Sequence, residues 1–415
     1  MNCNKVFETI GICGGGKMGT SFLNFIVPFD YNIVFYIRNE SKLQEVKRRY
    51  EKNISAKRSN SSGASVVFTN RIEDLGHCDV VFEFVSEDIK TKSLLFQELT
   101  GQAENSRQIV VTGSSTLVPS KLCQRNAITA CIGVHFIYPV QYVKTAEVIY
   151  SSKTSREVIE KIRDFLVYTG KKPFVVNEEV GSFSIRILIS VQNEAFKLSK
   201  EFGLNPAQID KIIARDNVVL PPFELCDSVG PEIIYNSIKG LYEGCKEYEE
   251  YSDFSNYLVQ MMSNGCLEGN NGKSCIGRFE NGKGKQIIEP DERQENHIRN
   301  RIKLAYINSC LDILDFGLLD TVQLDTAMSE INQSASGPIS LLFEQDLCET
   351  LSILEEFSIK YGDRYKPSGI LKYMASFKVG RDEIDRQIRL FKMGGGRPYW
   401  HNQDIVSTKK LPAKT

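Results

Sequence analysis

Several things are scarce in this 415-residue chain, and each shortage closes off a class of protein. No window approaches the roughly 18 uninterrupted apolar residues that a membrane-spanning helix needs, so no membrane association is expected. Neither sign of charge dominates, since 51 basic and 52 acidic side chains leave a net charge of −1. Only local patches, and no global field, could recruit nucleic acid or an anionic membrane. The 11 cysteines are scattered without a close CxxC pair, and the first residues show neither a basic leader nor a long apolar core. Reduced thiols in a soluble, cytoplasmic protein are therefore expected, without disulfides or a metal site. Histidine is rare as well, with four in the whole chain, so few side chains titrate near neutrality.

What is present starts with KVFETIGICGGGKMGTSFLNFIV, a β-prone run that ends in Gly14, Gly16 and Gly19 and passes into an apolar-periodic segment. Strand, GxGxxG turn and helix in that order make a pyrophosphate cradle, with Lys17 and Met18 inside the turn. Gly14 permits the tight turn, Gly16 lets the backbone approach the phosphates, and Gly19 lets helix pack closely on strand. The helix dipole and free amides then face the anion. A plain glycine turn is the alternative. Further β-prone runs at YNIVFYIRN, CDVVFEFV and RQIVVTGSS, with helical patterns between them, predict a doubly wound parallel sheet whose ligand sits beyond the carboxyl ends of the strands.

The end of the second strand reads the ribose. An NAD site places Asp or Glu there, about 20 residues after the glycines. Here that position is Ile37, followed by Arg38, Asn39 and Lys42. Isoleucine cannot accept a bond from a 2′-hydroxyl, whereas Arg38 can hold a 2′-phosphate, so NADP is expected first and NAD second. The alternative for Arg38 is a solvated surface residue.

Farther on, GVHFIYPVQYVKTAEV sets His135 at the end of a β-prone run and Glu147 on a neighbouring one. A carboxylate on one imidazole nitrogen fixes the tautomer and leaves the other free to exchange a proton with substrate. A buried core histidine is the competing account.

Five segments in fixed order resemble the 3-hydroxyacyl-CoA dehydrogenase family: the glycine loop, CDVVFEFVSEDIKTKSLLFQEL, VTGSSTLVPS, GVHFIYPV with its later Glu, and PPFELCDSVG. The resemblance covers most of the chain and implies a Rossmann domain over 1–180 followed by helical domains. It implies an oxidoreductase of fatty acid or polyketide metabolism that interconverts 3-hydroxyacyl and 3-oxoacyl groups with NAD(P). His135 would move the proton, Glu147 would orient it, and Ser114 would hydrogen-bond the substrate oxygen. Glu87 and Lys92 would line the nicotinamide and ribose end of the cofactor; an exposed helix pair is the bland alternative for those two.

The chain departs from that family at four places. Ile185 stands where the family carries a catalytic asparagine, and losing one such donor costs about 2.7–4 kcal/mol of barrier. Ser182 and Ser184 are the hydroxyls nearest to it in sequence. Tyr138 replaces an asparagine in the histidine motif, and Thr112 with Gly113 replaces Asn-Thr before the serine pair. The interval SKLQEVKRRYEKNISAKRSNSSGASVVFTN is shorter than the family's CoA-holding insert. The handle is thus CoA, an acyl carrier protein or none, as in a small hydroxy acid. The basic groups of that interval suit either an acidic carrier or plain solvation. Tyr138, Ser184 and Ile185 are the candidate substrate contacts. A catalytically degenerate relative that binds cofactor and serves as an interaction module is the alternative function.

From about Gly181 helical periodicity takes over. RILISVQNEAFKLSKEFGLNPAQID and RIKLAYINSCLDILDFGLLDTVQLD share Arg-Ile, an Asn seven residues on, a Gly and a closing Asp. Two tandem helical domains are expected, 181–290 and 291–393, separated by the Gly-, Asn- and Lys-rich SNGCLEGNNGKSCIGRFENGKGKQ. A tail, 394–415, carries the one tryptophan, Trp400. A second copy packed on the first would satisfy the surface that single-copy relatives use to dimerise, so a monomer is expected.

Overall fold

The computed structural model describes residues 5–56, 65–102, 108–123, 130–178, 182–242, 248–264, 289–317 and 319–393, without the side chains of 53–56 and 248. Lys57 and Arg58 of the AKR group, the Gly-, Asn- and Lys-rich loop from residue 265 onward and the Trp400 tail lie outside these residues. The chain divides into two compact units, 1–182 and 183–415.

The first unit alternates strand and helix: β1 (Thr9–Cys13), α1 (Lys17–Ile26), β2 (Asn32–Tyr36), α2 (Glu40–Ala56), β3 (Ser65–Thr69), β4 (Val80–Glu83), α3 (Ile89–Gln102), β5 (Ile109–Thr112), α4 (Pro119–Cys123), β6 (Cys131–Phe136), β7 (Thr145–Tyr150), α5 (Arg156–Tyr168) and β8 (Lys172–Asn177). The strands lie in the order β3-β2-β1-β4-β5-β6-β7-β8, so the direction of winding reverses between β1 and β4. Strands β1 to β6 are parallel; β7 runs antiparallel to β6, and β8 follows β7. Alternation along each strand feeds two cores. Ile10, Ile12, Ile33 and Phe35 face α1 and α5, while Cys13, Val34, Tyr36 and Val81 face α3.

One expectation is overturned here. Cys123 at the end of α4 and Cys131 at the start of β6 form a disulfide, with Cα atoms 6.2 Å apart. β6 begins beside the end of α4, so two cysteines eight apart in sequence meet.

The second unit is helical: α6 (Phe183–Phe202), α7 (Pro206–Ile213), α8 (Pro222–Val229), α9 (Pro231–Tyr242), α10 (Tyr248–Ser263), α11 (Glu292–Asp315), α12 (Thr321–Asn332), α13 (Pro338–Phe343), α14 (Leu347–Tyr361), α15 (Gly369–Phe377) and α16 (Arg381–Lys392). Matched local devices recur along it. Gly203 and Gly317 take left-handed backbone after α6 and α11. Asn205 with Gln208, and Asp320 with Gln323, form capping boxes on α7 and α12. Asp210 then accepts the amides of Phe223 and Glu224 at the start of α8, and Asp325 those of Ile339 and Ser340 at the start of α13. Buried Arg301 on α11 pairs with buried Glu194 on α6 at 2.5 Å and lies 3.8 Å from the ring centre of Tyr361. Arg364 reaches the same Glu194 and also Glu250. No helix among the described residues is long and apolar enough to cross a membrane.

Candidate active site

The glycine turn has the shape its spacing implies. Gly14 sits at φ +113°, and a Cβ there would come 2.5 Å from the Phe84 carbonyl oxygen. A Cβ on Gly19 would come 1.9 Å from the carbonyl oxygen of Gly14, so both positions exclude a side chain by close approach. Gly16 differs: a Cβ there would meet nothing within 4 Å. Space over the bare helix end, where Gly16 caps α1 without a side-chain hydrogen bond, fits a phosphate placed against free amides. Lys17 opens the helix with its ammonium 5.9 Å from the ring centre of Tyr138, and Met18 packs against the core under the turn. The residues present therefore fit a dinucleotide.

Ile37 is buried against the turn, its Cδ1 lying 2.4 Å from where a Gly15 Cβ would be. Arg38, beyond β2, is largely exposed and ion-paired with Glu98 of α3, while its Nε donates to the Tyr36 hydroxyl at 3.5 Å. On α2, Glu45 pairs with both Lys42 and Arg49, which neutralises part of that basic face.

Glu87 and Lys92 are not an exposed helix pair. Lys92 is 1% exposed and donates to Glu83 at 2.6 Å, with Glu87 at 3.4 Å. Glu83, at the end of β4, also accepts from the Val85 amide and the Thr112 hydroxyl. Burial alone would lower the Lys92 ammonium, but the charges of Glu83 and Glu87 outweigh it and hold the group above its ordinary range. Burial likewise pushes Glu87 up, and Lys92, Ser114 and Thr116 together overcome it and hold the carboxyl below its ordinary range. Glu87 is therefore an anion, clamped where β4 and β5 end.

Ser114 belongs to that clamp. Its hydroxyl donates to Glu87 and accepts the amides of Leu117 at 2.7 Å and Thr116 at 3.3 Å. Its neighbour Ser115 faces the other way, with Oγ 3.1 Å from Nε2 of His135.

His135 owes its place to the antiparallel step in the sheet. In the β6–β7 register His135 stands directly opposite Glu147, and the two buried side chains meet with Nδ1 3.1 Å from Oε1. Ser182 donates its hydroxyl to the same Oε1 at 2.9 Å and lies 3.1 Å from Nδ1. Its one proton goes to Glu147, so both Ser182 and the carboxylate act as acceptors toward the ring, and Nδ1 carries the hydrogen. The lone pair is then on Nε2, where a substrate proton can be taken or returned. Ser182 thus braces the orienting side of the ring and is not a donor on its reacting side.

Ser184 and Ile185 are buried in the first turn of α6, in the second unit, and Tyr138 is partly exposed in the turn after β6. Sequence reasoning missed Glu83, Ser115 and Ser182 as members of the hydrogen-bonded chain. One signal was available for Lys92: it falls in phase with Leu95, Phe96 and Leu99, on the apolar side of α3.

Comparison with known proteins identifies the family. Residues 9–180 match the model of the 3-hydroxyacyl-CoA dehydrogenase NAD-binding domain, and residues 181–276 that of its C-terminal domain. A glyoxysomal fatty acid beta-oxidation multifunctional protein from Cucumis sativus is 25% identical over 88% of this chain and 54% of its own length. A probable 3-hydroxybutyryl-CoA dehydrogenase from Deinococcus radiodurans is 26% identical over 62% of this chain and 95% of its own. Against the multifunctional relatives, then, the chain spans about half the length. Among solved structures, 3-hydroxybutyryl-CoA dehydrogenase from Escherichia coli K12 shares the fold at a TM-score of 0.70 and 17% identity, covering 89% of this chain and 98% of that one. The two domain models together take in more than half of the sequence, and the chain belongs to the 3-hydroxyacyl-CoA dehydrogenase family.

Proposed function

We propose that the protein is an NAD(P)-dependent oxidoreductase that interconverts a 3-hydroxyacyl and a 3-oxoacyl group. The observation that carries this is the His135–Glu147 pair, set by strand register at the carboxyl end of β6 in the same unit as a glycine turn shaped for a pyrophosphate. The nicotinamide, when bound, supplies the hydride acceptor or donor. Glu147 and Ser182 hold the ring by Nδ1, and Nε2 takes the proton from the 3-hydroxyl in oxidation or delivers it to the 3-oxo oxygen in reduction. Glu87 and Lys92, fixed as a charged pair, line the cofactor's ribose end.

The finer assignments rest on particular residues. NADP is favoured over NAD because Ile37 offers the ribose no acceptor and Arg38 offers a phosphate a guanidinium, provided Arg38 gives up Glu98. Reduction is then the working direction. The handle is CoA, a carrier protein or a free acid, with the short α2 interval supporting the smaller alternatives. The recurrent capping boxes and Asp210/Asp325 clamps support two tandem helical copies, and their mutual packing through Arg301 and Glu194 supports a monomer.

The test follows nicotinamide absorbance with 3-oxoacyl thioesters on CoA, on carrier protein and on a short pantetheine mimic, beside titrations of NADP and NAD. Turnover with at least one handle and tighter NADP binding are expected. Equal or tighter NAD binding removes the phosphate role of Arg38. Cofactor binding without turnover on any handle would favour the degenerate alternative, to which Ile185 already lends support. A stable dimer in light scattering at micromolar concentration overturns the monomer.

A further inference from the structure

The turn that joins β6 to β7 is gripped from α1 and from the entry to β8. Lys17, Ser21 and Phe25 stand four residues apart on α1, hence on one face of the helix. Ser21 is buried, and its hydroxyl donates to Gln141 Oε1 at 2.8 Å and accepts the Val140 amide at 2.9 Å. Lys171, just before β8, is 6% exposed and donates to the carbonyl oxygens of Val140 and of Val143, the latter at 2.6 Å. Its ammonium lies 4.3 Å from the ring centre of Phe25. Buried Val140 is thus held by its amide from one side and by its carbonyl from the other. The Pro139 carbonyl closes the turn by accepting the amides of Tyr142 and Val143. Two residues before Val140, Tyr138 faces outward, its ring centre 5.9 Å from the Lys17 ammonium. Burying an ammonium is costly, and an apolar side chain would fill the same space without that cost. Two of its charge-assisted bonds converge on a single turn, whose exposed tyrosine is three residues beyond His135.

We infer that Lys171 and Ser21 are positioning residues of this site: they lock the turn so that the Tyr138 ring stands as a fixed wall, and that wall limits the size of the acyl group beyond carbon 3. This rests on the dehydrogenase function proposed above. A ring so close in sequence to the proton carrier reaches atoms next to the reacting carbon, not the far end of a handle. It fills more space than an asparagine would, but it can exclude bulk only while the backbone beneath it is fixed. Lys171 acts on Tyr138 through that backbone. His135 is held separately, by its register with Glu147 and by Ser182, so the wall can loosen while the proton path stays in place.

Tyr138→Ala, Lys171→Met, Lys171→Arg, Ser21→Ala and the double variant K171M/Y138A decide it, assayed with 3-oxobutanoyl and 3-oxodecanoyl groups on one handle. A pocket wall discriminates size by about 10–200-fold, so Y138A should lower the ratio of kcat/KM for the short over the long group by at least about tenfold. K171M should lower the same ratio by a smaller factor, S21A by less again, and K171R should restore part of what K171M loses. In the double variant K171M should add nothing to Y138A. A ratio unchanged in K171M, whatever the fall in turnover, or a full further effect in the double variant overturns the inference. If K171M does not fold, S21A and K171R carry the same test. Independently of turnover, the Tyr138 ring resonances, assigned with Tyr138→Ala among 17 tyrosines, should shift in K171M and S21A. The imidazole ¹⁵N resonances of His135, assigned with His135→Ala, should stay. Tyr138 signals that do not move, or that move together with those of His135, overturn it. If the wild type turns over none of the thioesters, the dehydrogenase function fails, while the resonances still decide whether Lys171 and Ser21 hold Tyr138.

Discussion

Two buried charge networks lie in this chain, one in each unit, and they are built to different ends. In the first unit, Glu83, Lys92 and Glu87 follow one another to Ser114 at the ends of β4 and β5. In the second, Arg301 and Arg364 share Glu194, with Glu201 and Glu250 at the periphery and tyrosine rings over the guanidinium groups. Both sets are paired, so neither burial nor charge tells them apart. The difference is what borders them. The first network leads to a serine pair in which one hydroxyl is turned to Nε2 of His135, a nitrogen whose lone pair is held by that hydroxyl alone among the described residues. The second ends on itself, joining α6 and α10 to α11 and the segment after α14. Buried charge marks chemistry only where it borders a group with bonding capacity left over.

That contrast can be broken by substitution. The largest effect belongs to His135→Ala, which removes the proton carrier: turnover should drop by about 10²–10⁴, with cofactor affinity unchanged in a titration. Unchanged turnover would take the dyad out of the mechanism. Next, Arg301→Met leaves Glu194 short of a partner and should cost about 3–5 kcal/mol of stability in denaturant melts. The His135 resonances of the molecules still folded should not move; if they do, the second network also serves the site. Lys92→Met should cost a similar stability, but here cofactor affinity falls as well, because Glu83 and Glu87 are left as unpaired like charges. Replacing Arg301, Glu194 and Arg364 together by apolar residues sharpens the comparison, since a whole buried network can be exchanged at little or no loss. Stability within about 1 kcal/mol of wild type is expected there, and no such recovery of cofactor binding for Glu83, Lys92 and Glu87.

The smallest effect lies in the pH dependence of the helical unit. Burial pushes the Asp210 carboxyl up to about 7, against two backbone amides that favour its charged form and with Glu224 and Asp227 adding to the rise. A carboxyl whose folded value is raised binds more protons folded than unfolded between pH about 4 and 7, so its contribution is full below that window and lost as pH rises through it. Asp210→Asn should flatten the fall in stability over this range, a change on the order of 1 kcal/mol. An unchanged slope means that another group governs it. Asp325, which caps α13 as Asp210 caps α8, has Arg381 at 2.9 Å, which Asp210 lacks among the described residues. The two clamps are alike in their amide contacts and differ in counter-charge.

Much of this was legible in the sequence because it is periodic or local. The glycine spacing, the alternation of strand and helix, and the twelve-residue separation of His135 and Glu147 match the turn, the sheet and the β6–β7 contact. What stayed hidden depends on contacts far apart in the chain or on a turn's direction. Two serines in a row look alike until the turn sends one to Glu87 and the other to His135. Arg301 meets Glu194 across 107 residues. For Lys92 an exposed helix pair stayed open as the alternative to a cofactor role, although its phase on α3 is apolar.

The pairing of β6 with β7 has a consequence for how this chain can change. His135 and Glu147 meet because of strand register, and that register is held by β8 on the far side of β7 as well as by β6. The intervening segment, 137–144, which includes Tyr138, does not set the distance between them. A change at an exposed position of that segment, such as Tyr138, can therefore leave the His135–Glu147 contact in place.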